Sequence, residues 1–430
     1  MKLLFLFLVL GAARAYDCPY CQPEQVHIAF GEKPNDIVLT WTTFNDTQGS
    51  YATFGKGQLE AQASGYSTLF RDGGKQQREM YIHRVTLPGL DYDTTYVYNV
   101  GSDFGMSERF SFHVPPEGND IQVRAAIYGD LGNKNAHSLP YLQEEAERGN
   151  FDLILHVGDF AYDMHDDNAR VGDQFMRQIQ PIASLVPYMT CPGNHEASNN
   201  FSNYRARFSM PGYRGTESMF YSFDLGPVHF VSISTEYYYF LQYGAHMLFE
   251  QFSWLQQDLA KANEPKNRGE RPWIVLMGHR PMYCSNFDDI DCSFEYTRIG
   301  IPFFGLSLSL EPLLKQYGVD VVIWAHEHSY ERTWPLYDSK VYNGSLEHPY
   351  TNPGAPVHVV TGSAGCQENH SQFNVTRPEW SAFRTPAYGY TRLLAAGAQL
   401  HFEQVDVEQG GKVVDTFRIV KDRHGAYHYD

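Results

Sequence analysis

The chain has 430 residues and a formal net charge of −17, from 33 basic and 50 acidic side chains. This length allows two or three domains, each with a hydrophobic core of its own. The acidic chain has no basic stripe, which excludes a nucleic-acid backbone as its partner. After the N-terminus no apolar run approaches the roughly 20 residues of a membrane-spanning helix, so we expect no stable membrane anchor.

The first 15 residues, MKLLFLFLVLGAARA, predict a signal peptide. Lys2 precedes an apolar run that is too short to cross a bilayer, and the small residues Ala13 and Ala15 then suit signal peptidase. We therefore expect cleavage after Ala15. The mature protein would be secreted, or would lie in the lysosome or another extracytoplasmic lumen.

Two further features agree with this route. Five sequons predict glycosylation, at Asn45, Asn200, Asn343, Asn369 and Asn374. The six cysteines are an even number, as expected in an oxidising compartment. Cys284 and Cys292 flank the short acidic loop CSNFDDIDC and are the pair that we expect to form a disulfide. The sequence leaves open the pairing of the other four, Cys18, Cys21, Cys191 and Cys366.

Residues 24–117 have the pattern of an all-β domain. Segments such as IVLTWTT and TTYVYNV alternate apolar and polar residues and end at Gly, Pro, Asn or Asp. Strands at this spacing predict a small antiparallel sandwich. Tyr96, which follows Leu90 in LPGLDYDTTY, resembles the tyrosine corner of fibronectin type III and immunoglobulin domains. The segment VPPEGND then indicates a linker.

Residues 120–430 follow a different pattern, in which strands alternate with helices. VRAAIYGD and FDLILHVGD predict strands on either side of a helix that ends at Gly149, and PWIVLMGH and VDVVIWAHEH predict further strands. Such alternation predicts right-handed crossovers and a buried, largely parallel sheet. From about Tyr388 the tail returns to strand-like segments that would complete a second sheet. We therefore predict an αββα sandwich behind the N-terminal β-sandwich.

Polar residues follow the ends of five of these apolar runs. They are Asp130, Asp159, Tyr162, Asn194, His195, His279, His326 and His328. Each alone has an ordinary explanation: Asp caps helices, Asn forms turns, a buried Tyr packs in the core, and two His at i and i+2 on a strand would share one face. Together they favour a metal site, because the carboxyl ends of strands in an α/β sheet converge on one edge.

The order of these residues resembles the purple acid phosphatase family of dinuclear metallophosphoesterases. Five blocks carry the resemblance: GDLG, GDFAY, GNHE, LMGH and AHEH. Leu276 stands where the family has Val in the fourth block, and Ala325 replaces the Gly of the fifth. Both positions concern backbone packing rather than ligands. The resemblance covers nearly the whole chain after residue 15.

The resemblance implies a centre with Fe(III) and a divalent ion, with Zn expected first and Mn or Fe as alternatives. Asp130, Asp159, Tyr162 and His328 would bind Fe(III), and Asp159, Asn194, His279 and His326 would bind the divalent ion. Carboxylate and phenolate oxygens suit a trivalent ion, whereas imidazole and a neutral amide suit a softer divalent one. Two ions about 3.5 Å apart can clamp both sides of a phosphoryl centre.

The resemblance also implies the reaction, which is hydrolysis of phosphate monoesters by a metal-bound hydroxide at acidic pH. Asn194 and His195 would contact the substrate, and His195, left without a metal, would protonate the leaving alcohol. Glu196 would either orient this ring or lie on the surface.

Several points stay open from the sequence. Arg280, Tyr283 and Asn286 are candidates for phosphate contacts, and His165 is expected at the surface. Two other functions remain as alternatives: a phosphodiesterase or nucleotidase of the same superfamily, and a glycoprotein that binds partners through its sandwich without catalysis. The natural substrate, the divalent ion and the existence of a homodimer are not decided.

Overall fold

The computed structural model describes residues 18–428, except 288–291, 293–295, 300, 301, 304 and 305. The predicted signal peptide therefore lies outside the described residues. In the part of the chain that is described, no helix is both long and apolar enough to cross a membrane.

Nine strands form the N-terminal β-sandwich. They are β1 Glu24–Phe30, β2 Ile37–Thr43, β3 Tyr51–Gly55, β4 Ala61–Ser64, β5 Tyr66–Arg71, β6 Glu79–Leu87, β7 Thr94–Ser102, β8 Gly105–Met106 and β9 Phe110–Val114. One sheet has the order β1-β2-β6-β5, the other has the order β4-β3-β7-β8 with β9 also paired to β7, and all pairs are antiparallel. The hydroxyl of Tyr96 accepts the N–H of Asp91 (3.1 Å), the bond of a tyrosine corner.

The described residues of the rest of the chain form two larger sheets and eight α-helices. The strands are β10 Val123–Tyr128, β11 Leu131–Gly132, β12 Leu153–Val157, β13 Phe160–Ala161, β14 Tyr188–Cys191, β15 Tyr221–Leu225, β16 Val228–Ser232, β17 Trp273–Met277, β18 Pro302–Phe303, β19 Leu306–Ser307, β20 Val321–Trp324, β21 Tyr330–Thr333, β22 Leu336–Tyr337, β23 Lys340–Val341, β24 Val357–Thr361, β25 Ser381–Thr385, β26 Gly389–Ala396, β27 Gln399–Asp406 and β28 Lys412–Val420. The helices are α1 Leu139–Glu147, α2 Asp166–Ala183, α3 Ser198–Arg207, α4 Tyr213–Thr216, α5 Ala245–Ala262, α6 Pro265–Glu270, α7 Tyr296–Ile299 and α8 Leu310–Gln316.

The two sheets have the topology expected of an αββα sandwich. One runs β14-β12-β10-β26-β27-β28, and the other runs β15-β16-β17-β20-β24-β21-β25. Strands β10, β12 and β14 are parallel in the first sheet, as are β16, β17, β20 and β24 in the second. The central parallel strands, such as WIVLM and LILHV, are buried throughout, which explains their continuous apolar sequences. The C-terminal strands complete the first sheet.

The two cysteines expected to pair, Cys284 and Cys292, form a disulfide in the structure. Cys18 and Cys21 form a second one, and Cys191 and Cys366 are free and buried.

Strand β2 is buried on both faces although apolar and polar residues alternate in its sequence. Every residue of IVLTWTT is buried. The reason is that its polar face lies against the α/β part of the chain, where the Thr40 hydroxyl donates to Ser209 Oγ (3.1 Å). Arg84 Nε donates to the same oxygen (2.8 Å). The sandwich therefore packs against the α/β part through a polar, water-excluded surface.

A buried ion-pair network stabilises the contact between the sandwich and the α/β part. Arg207 of α3 is 1% exposed and donates to Asp173 Oδ1 of α2 (2.9 Å) and to Gln25 Oε1 of β1 (2.9 Å). Arg78 of the sandwich pairs with the other oxygen of Asp173, which is also 1% exposed. One carboxylate thus balances two guanidinium groups from the two parts of the chain.

We expect Asp173→Ala to lower the free energy of unfolding by about 3–5 kcal/mol, because it leaves buried guanidinium charge without its partner. The measurement is urea unfolding at pH 7. The matched control is Glu79→Ala, which breaks an exposed pair with Arg71 and should cost about 0–1 kcal/mol. Equal losses in the two variants would contradict this account of the contact.

Candidate metal centre

Each of the eight polar residues that follow apolar runs in the sequence comes after the end of a parallel strand. Asp130 follows β10, Asp159 and Tyr162 follow β12, Asn194 and His195 follow β14, His279 follows β17, and His326 and His328 follow β20. These strands belong to both large sheets. The structure brings seven of the eight side chains together in two adjoining groups, with His195 beside them. The turns after the strands, rather than the strands themselves, carry these side chains.

Tyr162 is the centre of the first group of donor atoms. Its hydroxyl oxygen lies 3.1 Å from Asp130 Oδ1 and 2.8 Å from His328 Nε2. The three residues are buried, with Asp130 fully enclosed. Two ligands about 2.1 Å from a metal ion and at right angles are about 3 Å apart, so these separations fit one shared ion.

His279 is the centre of the second group. Its Nε2 lies 3.1 Å from Asp159 Oδ2 and 3.1 Å from Asn194 Oδ1. His326 joins them, since one ligand atom from each of Asp159, His279 and His326 lies within 4.8 Å of the others. The spacing again fits donors around a single ion.

Backbone carbonyls fix the imidazoles of His279 and His328. Nδ1 of His279 donates to the Val157 carbonyl (2.8 Å), and Nδ1 of His328 donates to the Asn369 carbonyl (2.8 Å). A carbonyl only accepts, so Nδ1 carries the proton and Nε2 keeps its lone pair toward the donor groups. This support by a neighbouring acceptor is typical of metal-binding histidines.

The turns that present the donors are conformationally demanding. Asp130, Asp159, Tyr162 and His326 have φ values of 60°, 55°, 51° and 70°, in the left-handed region. Such conformations cost free energy and concentrate at functional sites. Glycine is needed at position 193 for a different reason: a Cβ there would lie 2.3 Å from Asp159 Oδ1. The Gly of GNHE therefore makes room for a donor from another turn.

The charges of the first group call for a cation. Burial raises the pKa of Asp130 well above its usual value, and the neighbouring Asp159 adds to the rise. Burial, followed by Asp130, likewise raises the pKa of Tyr162. Enclosing anionic oxygens costs free energy unless a cation offsets it. Carboxylate, phenol, amide and imidazole donors converge here, so the residues present fit metal ions.

His195 stands beside both groups and contacts other carboxylates. Its Nδ1 lies 2.6 Å from Asp163 Oδ1, and its Nε2 lies 3.7 Å from Glu368 Oε1 and 3.9 Å from Asp159 Oδ2. Burial alone would lower its pKa, but Asp159 and Asp163 outweigh burial and raise the pKa to about 10. The ring also packs on Tyr162, with centroids 4.3 Å apart. Asp163 therefore holds the orientation of the imidazole.

Glu196 has neither of the roles expected from the sequence. It does not orient the His195 ring, and it is not at the surface, because only 2% of it is exposed. Its carboxylate accepts the backbone N–H groups of Asp159 (2.9 Å), Phe160 (3.0 Å) and Gly193 (2.8 Å). Glu196 thus joins the turn after β12 to the turn after β14.

The two histidines of HEH do not have the ordinary explanation of a shared strand face. The strand ends at Trp324, so they do not share a strand face. His326 lies with the second donor group and His328 with the first. The buried Glu327 between them contacts the Cys284–Cys292 disulfide, at 3.8 and 3.6 Å from the two sulfur atoms.

Only one of the candidates for phosphate contacts touches the site. Arg280 Nη1 donates to His326 Nε2 (3.0 Å), and its Nε donates to buried Glu236 (3.0 Å). Tyr283 instead contacts Glu311, and Asn286 donates to Ser329 Oγ (3.0 Å). His165 is partly exposed and lies near Asp166. These contacts place Tyr283 and Asn286 in structural roles.

Sequence reasoning missed the carboxylates of Asp163 and Glu368. Asp163 had a usable signal, because it is an acidic residue directly after the candidate ligand Tyr162 and no apolar run follows it. Glu368 had none, since CQENH matches no block and lies about 40 residues after His328 in the sequence.

The protein has two large sheets, and the ends of their strands supply paired groups of metal donors. This arrangement is that of a metallophosphoesterase. The sequence matches "Calcineurin-like phosphoesterase" over residues 123–330, "Purple acid Phosphatase, N-terminal domain" over 23–114, and "Iron/zinc purple acid phosphatase-like protein C" over 355–416.

Curated relatives and a solved structure give the same family. "Acid phosphatase type 7" of Danio rerio is 52% identical over 94% of this chain and 92% of its own length. The Homo sapiens protein of that name is 49% identical over 99% of this chain and 97% of its own. Purple acid phosphatase PPD1 from seeds of yellow lupin (Lupinus luteus) superposes with a TM-score of 0.79 at 25% identity, over 93% of this chain and 75% of that one. The chain belongs to the purple acid phosphatase family, and membership implies a dinuclear metal centre.

We expect Glu196→Ala to reduce metal content as well as activity. Three backbone N–H groups would lose their acceptor, at a cost of about 1–3 kcal/mol for each group left unsatisfied. The turns that carry Asp159 and Asn194 would then separate. Metal analysis of the purified variant by mass spectrometry measures the effect. Full metal occupancy with a normal melting temperature would show that Glu196 does not hold the two turns.

Proposed function

We propose that the protein is an acid phosphatase that hydrolyses phosphate monoesters at an Fe(III)–divalent metal centre. The observation that carries the proposal is the pair of donor groups around Tyr162 and His279. Relatives named acid phosphatase at about 50% identity support it. Every ligand position of the family pattern is filled, which argues against a glycoprotein without catalysis. The phenol among the donors favours this activity over the phosphodiesterase or nucleotidase alternative.

Asp130, Asp159, Tyr162 and His328 would hold Fe(III), and Asp159, Asn194, His279 and His326 would hold the divalent ion, with Zn preferred. Oxygen donors dominate the first set, while the second set has two imidazoles and an amide oxygen. Asp159 would serve both ions. When bound, the two ions supply the charge that activates water for attack and stabilises the phosphoryl transition state.

His195 would protonate the leaving alcohol, and Asn194 beside it would help to position the phosphate. The contact between His195 Nδ1 and Asp163 supports this role, because it leaves Nε2 directed toward Glu368 and the solvent side of the centre. A positioned acid contributes roughly 10²- to 10⁴-fold to such a reaction. Asp163 is a positioning residue, since it acts through the imidazole.

The protein would reach a secreted or lumenal compartment through the signal peptide at residues 1–15. The two disulfides support an oxidising environment. Glycosylation stays a prediction at all five sequons. The side chains of Asn45, Asn343, Asn369 and Asn374 are exposed, and that of Asn200 is half-buried.

We expect His195→Ala to keep both metal ions and to lower kcat by about 10²- to 10⁴-fold on an alkyl phosphate. The reason is that His195 contacts carboxylates but is not one of the proposed ligands. Metal analysis and steady-state kinetics measure the two quantities. Asp163→Asn, which keeps the imidazole, should lose less activity than His195→Ala. A loss of metal in proportion to activity would make His195 a ligand.

We expect the wild-type protein to be pink or purple, and Tyr162→Phe to remove the visible band while some iron remains. The pKa of a phenol is near 10, but a bonded trivalent ion should deprotonate it, and phenolate on Fe(III) absorbs visible light. The absorption spectrum with iron analysis is the measurement. Tyr20→Phe, at a highly exposed position, is the control and should keep the colour. Colourless wild-type protein with stoichiometric iron would refute the role of Tyr162.

A further inference from the structure

The metal centre opens to solvent on the side of His195. The donor side chains of Asp159 and His279 are 2% or less exposed, whereas the side chain of His195 is 17% exposed. Asp163 and Glu368, which both contact His195, are 31% and 50% exposed. A leaving group that takes its proton from His195 therefore departs past these two carboxylates.

The opening has an uneven distribution of charge. Asp163 is held by the imidazole at 2.6 Å, but Glu368 contacts His195 only at 3.7 Å and extends into solvent. On the other side, the guanidinium of Arg280 contacts His326 and is balanced by buried Glu236 at 3.0 Å. Burial raises the pKa of Glu368. Above that pKa, Glu368 presents an anionic carboxylate beside the path of the leaving group.

We propose that Glu368 determines specificity by disfavouring phosphate esters whose leaving group carries negative charge. The preferred substrates are monoesters of neutral or cationic alcohols and phenols, rather than polyphosphates or phosphorylated acids. This inference rests on the proposed function, in which His195 protonates the leaving oxygen.

The size of the effect follows from Coulomb's law. Two unit charges about 7–10 Å apart, at an effective dielectric constant of about 40, change kcat/KM by about three- to tenfold. The ions of the centre attract the phosphoryl group of every substrate, so they raise all rates together. Glu368 instead changes the relative kcat/KM of substrates whose leaving groups differ in charge. Because the group is half-exposed, salt should weaken its effect.

The test compares three phenyl phosphates with a carboxylate, a carboxamide or a trimethylammonium group in the para position. For each substrate, kcat/KM of a variant is divided by that of the wild type, so differences in intrinsic reactivity cancel. Glu368→Gln should raise kcat/KM for the carboxylate substrate relative to the carboxamide by about three- to tenfold, and lower it for the trimethylammonium substrate. Glu368→Lys should shift both ratios further in the same directions. These shifts should shrink in 1 M salt.

The matched control is Glu60→Gln, an equal change of charge at an exposed position of the sandwich between β3 and β4. It should leave the three ratios equal to one another. Hydrolysis of all three substrates with the same ratios in Glu368→Gln and Glu368→Lys would overturn the role of Glu368 and leave the proposed function standing. Failure of the wild-type protein to hydrolyse any of them would overturn both.

Discussion

The buried carboxylate of Glu196 sets the distance between the two turns on which the metal centre depends. By accepting N–H groups of Asp159 and Phe160 from one turn and of Gly193 from the other, it closes a ring of hydrogen bonds under the site. The backbone N–H of His195 donates in return to Asp159 Oδ1 (2.9 Å). Hydrogen bonds therefore join the turn that carries the proposed ligand Asp159 to the turn that carries the proposed acid His195. Burial and the nearby Asp159 raise the pKa of Glu196 to about 8, and the N–H groups of Phe160 and Gly193 oppose this rise by stabilising the charged carboxylate.

Much of the fold could be read from the sequence because hydrophobic patterning changes sharply along it. Segments such as LILHV and WIVLM are apolar without interruption, and burial of both strand faces is the reason. The exposed strands β4 and β5 were not predicted, since AQAS and YSTLFR have no contrast between two faces. The full burial of β2 is not evident from its sequence for another reason. A polar face covered by a second polar surface has the same sequence pattern as one covered by water.

The candidate ligands were predictable because each is a metal-binding residue type at a strand end. Their sorting into two groups depends on turns with left-handed residues. Sequence spacing does not encode these turns, so the sorting came from the family resemblance alone. His326 and His328 illustrate this, because two residues in one short segment lie in different groups. The residues around His195 come from distant segments, and a contact such as His195 to Glu368 leaves no local pattern.

The β-sandwich contributes to the site only through its attachment. In the described chain none of the metal donors comes from the sandwich, yet α2 and α3, which bind it through Asp173 and Arg207, begin just after the turns that hold Tyr162 and Asn194. Fixing these helices limits the movement of the turns before them. The sandwich therefore stabilises the positions of these turns indirectly, through its polar contact surface with α2 and α3.

Charge balance connects the proposed acid with the proposed selectivity. Cations bound by the two donor groups would repel a protonated imidazole at His195. The carboxylates of Asp163 and Glu368, which lie near Nδ1 and Nε2 of the ring, oppose that repulsion and favour the charged ring. An acid beside two metal ions thus needs anions near it, and those anions face the leaving group as it departs. In a site arranged in this way, the carboxylates that keep the imidazole protonated also repel anionic leaving groups.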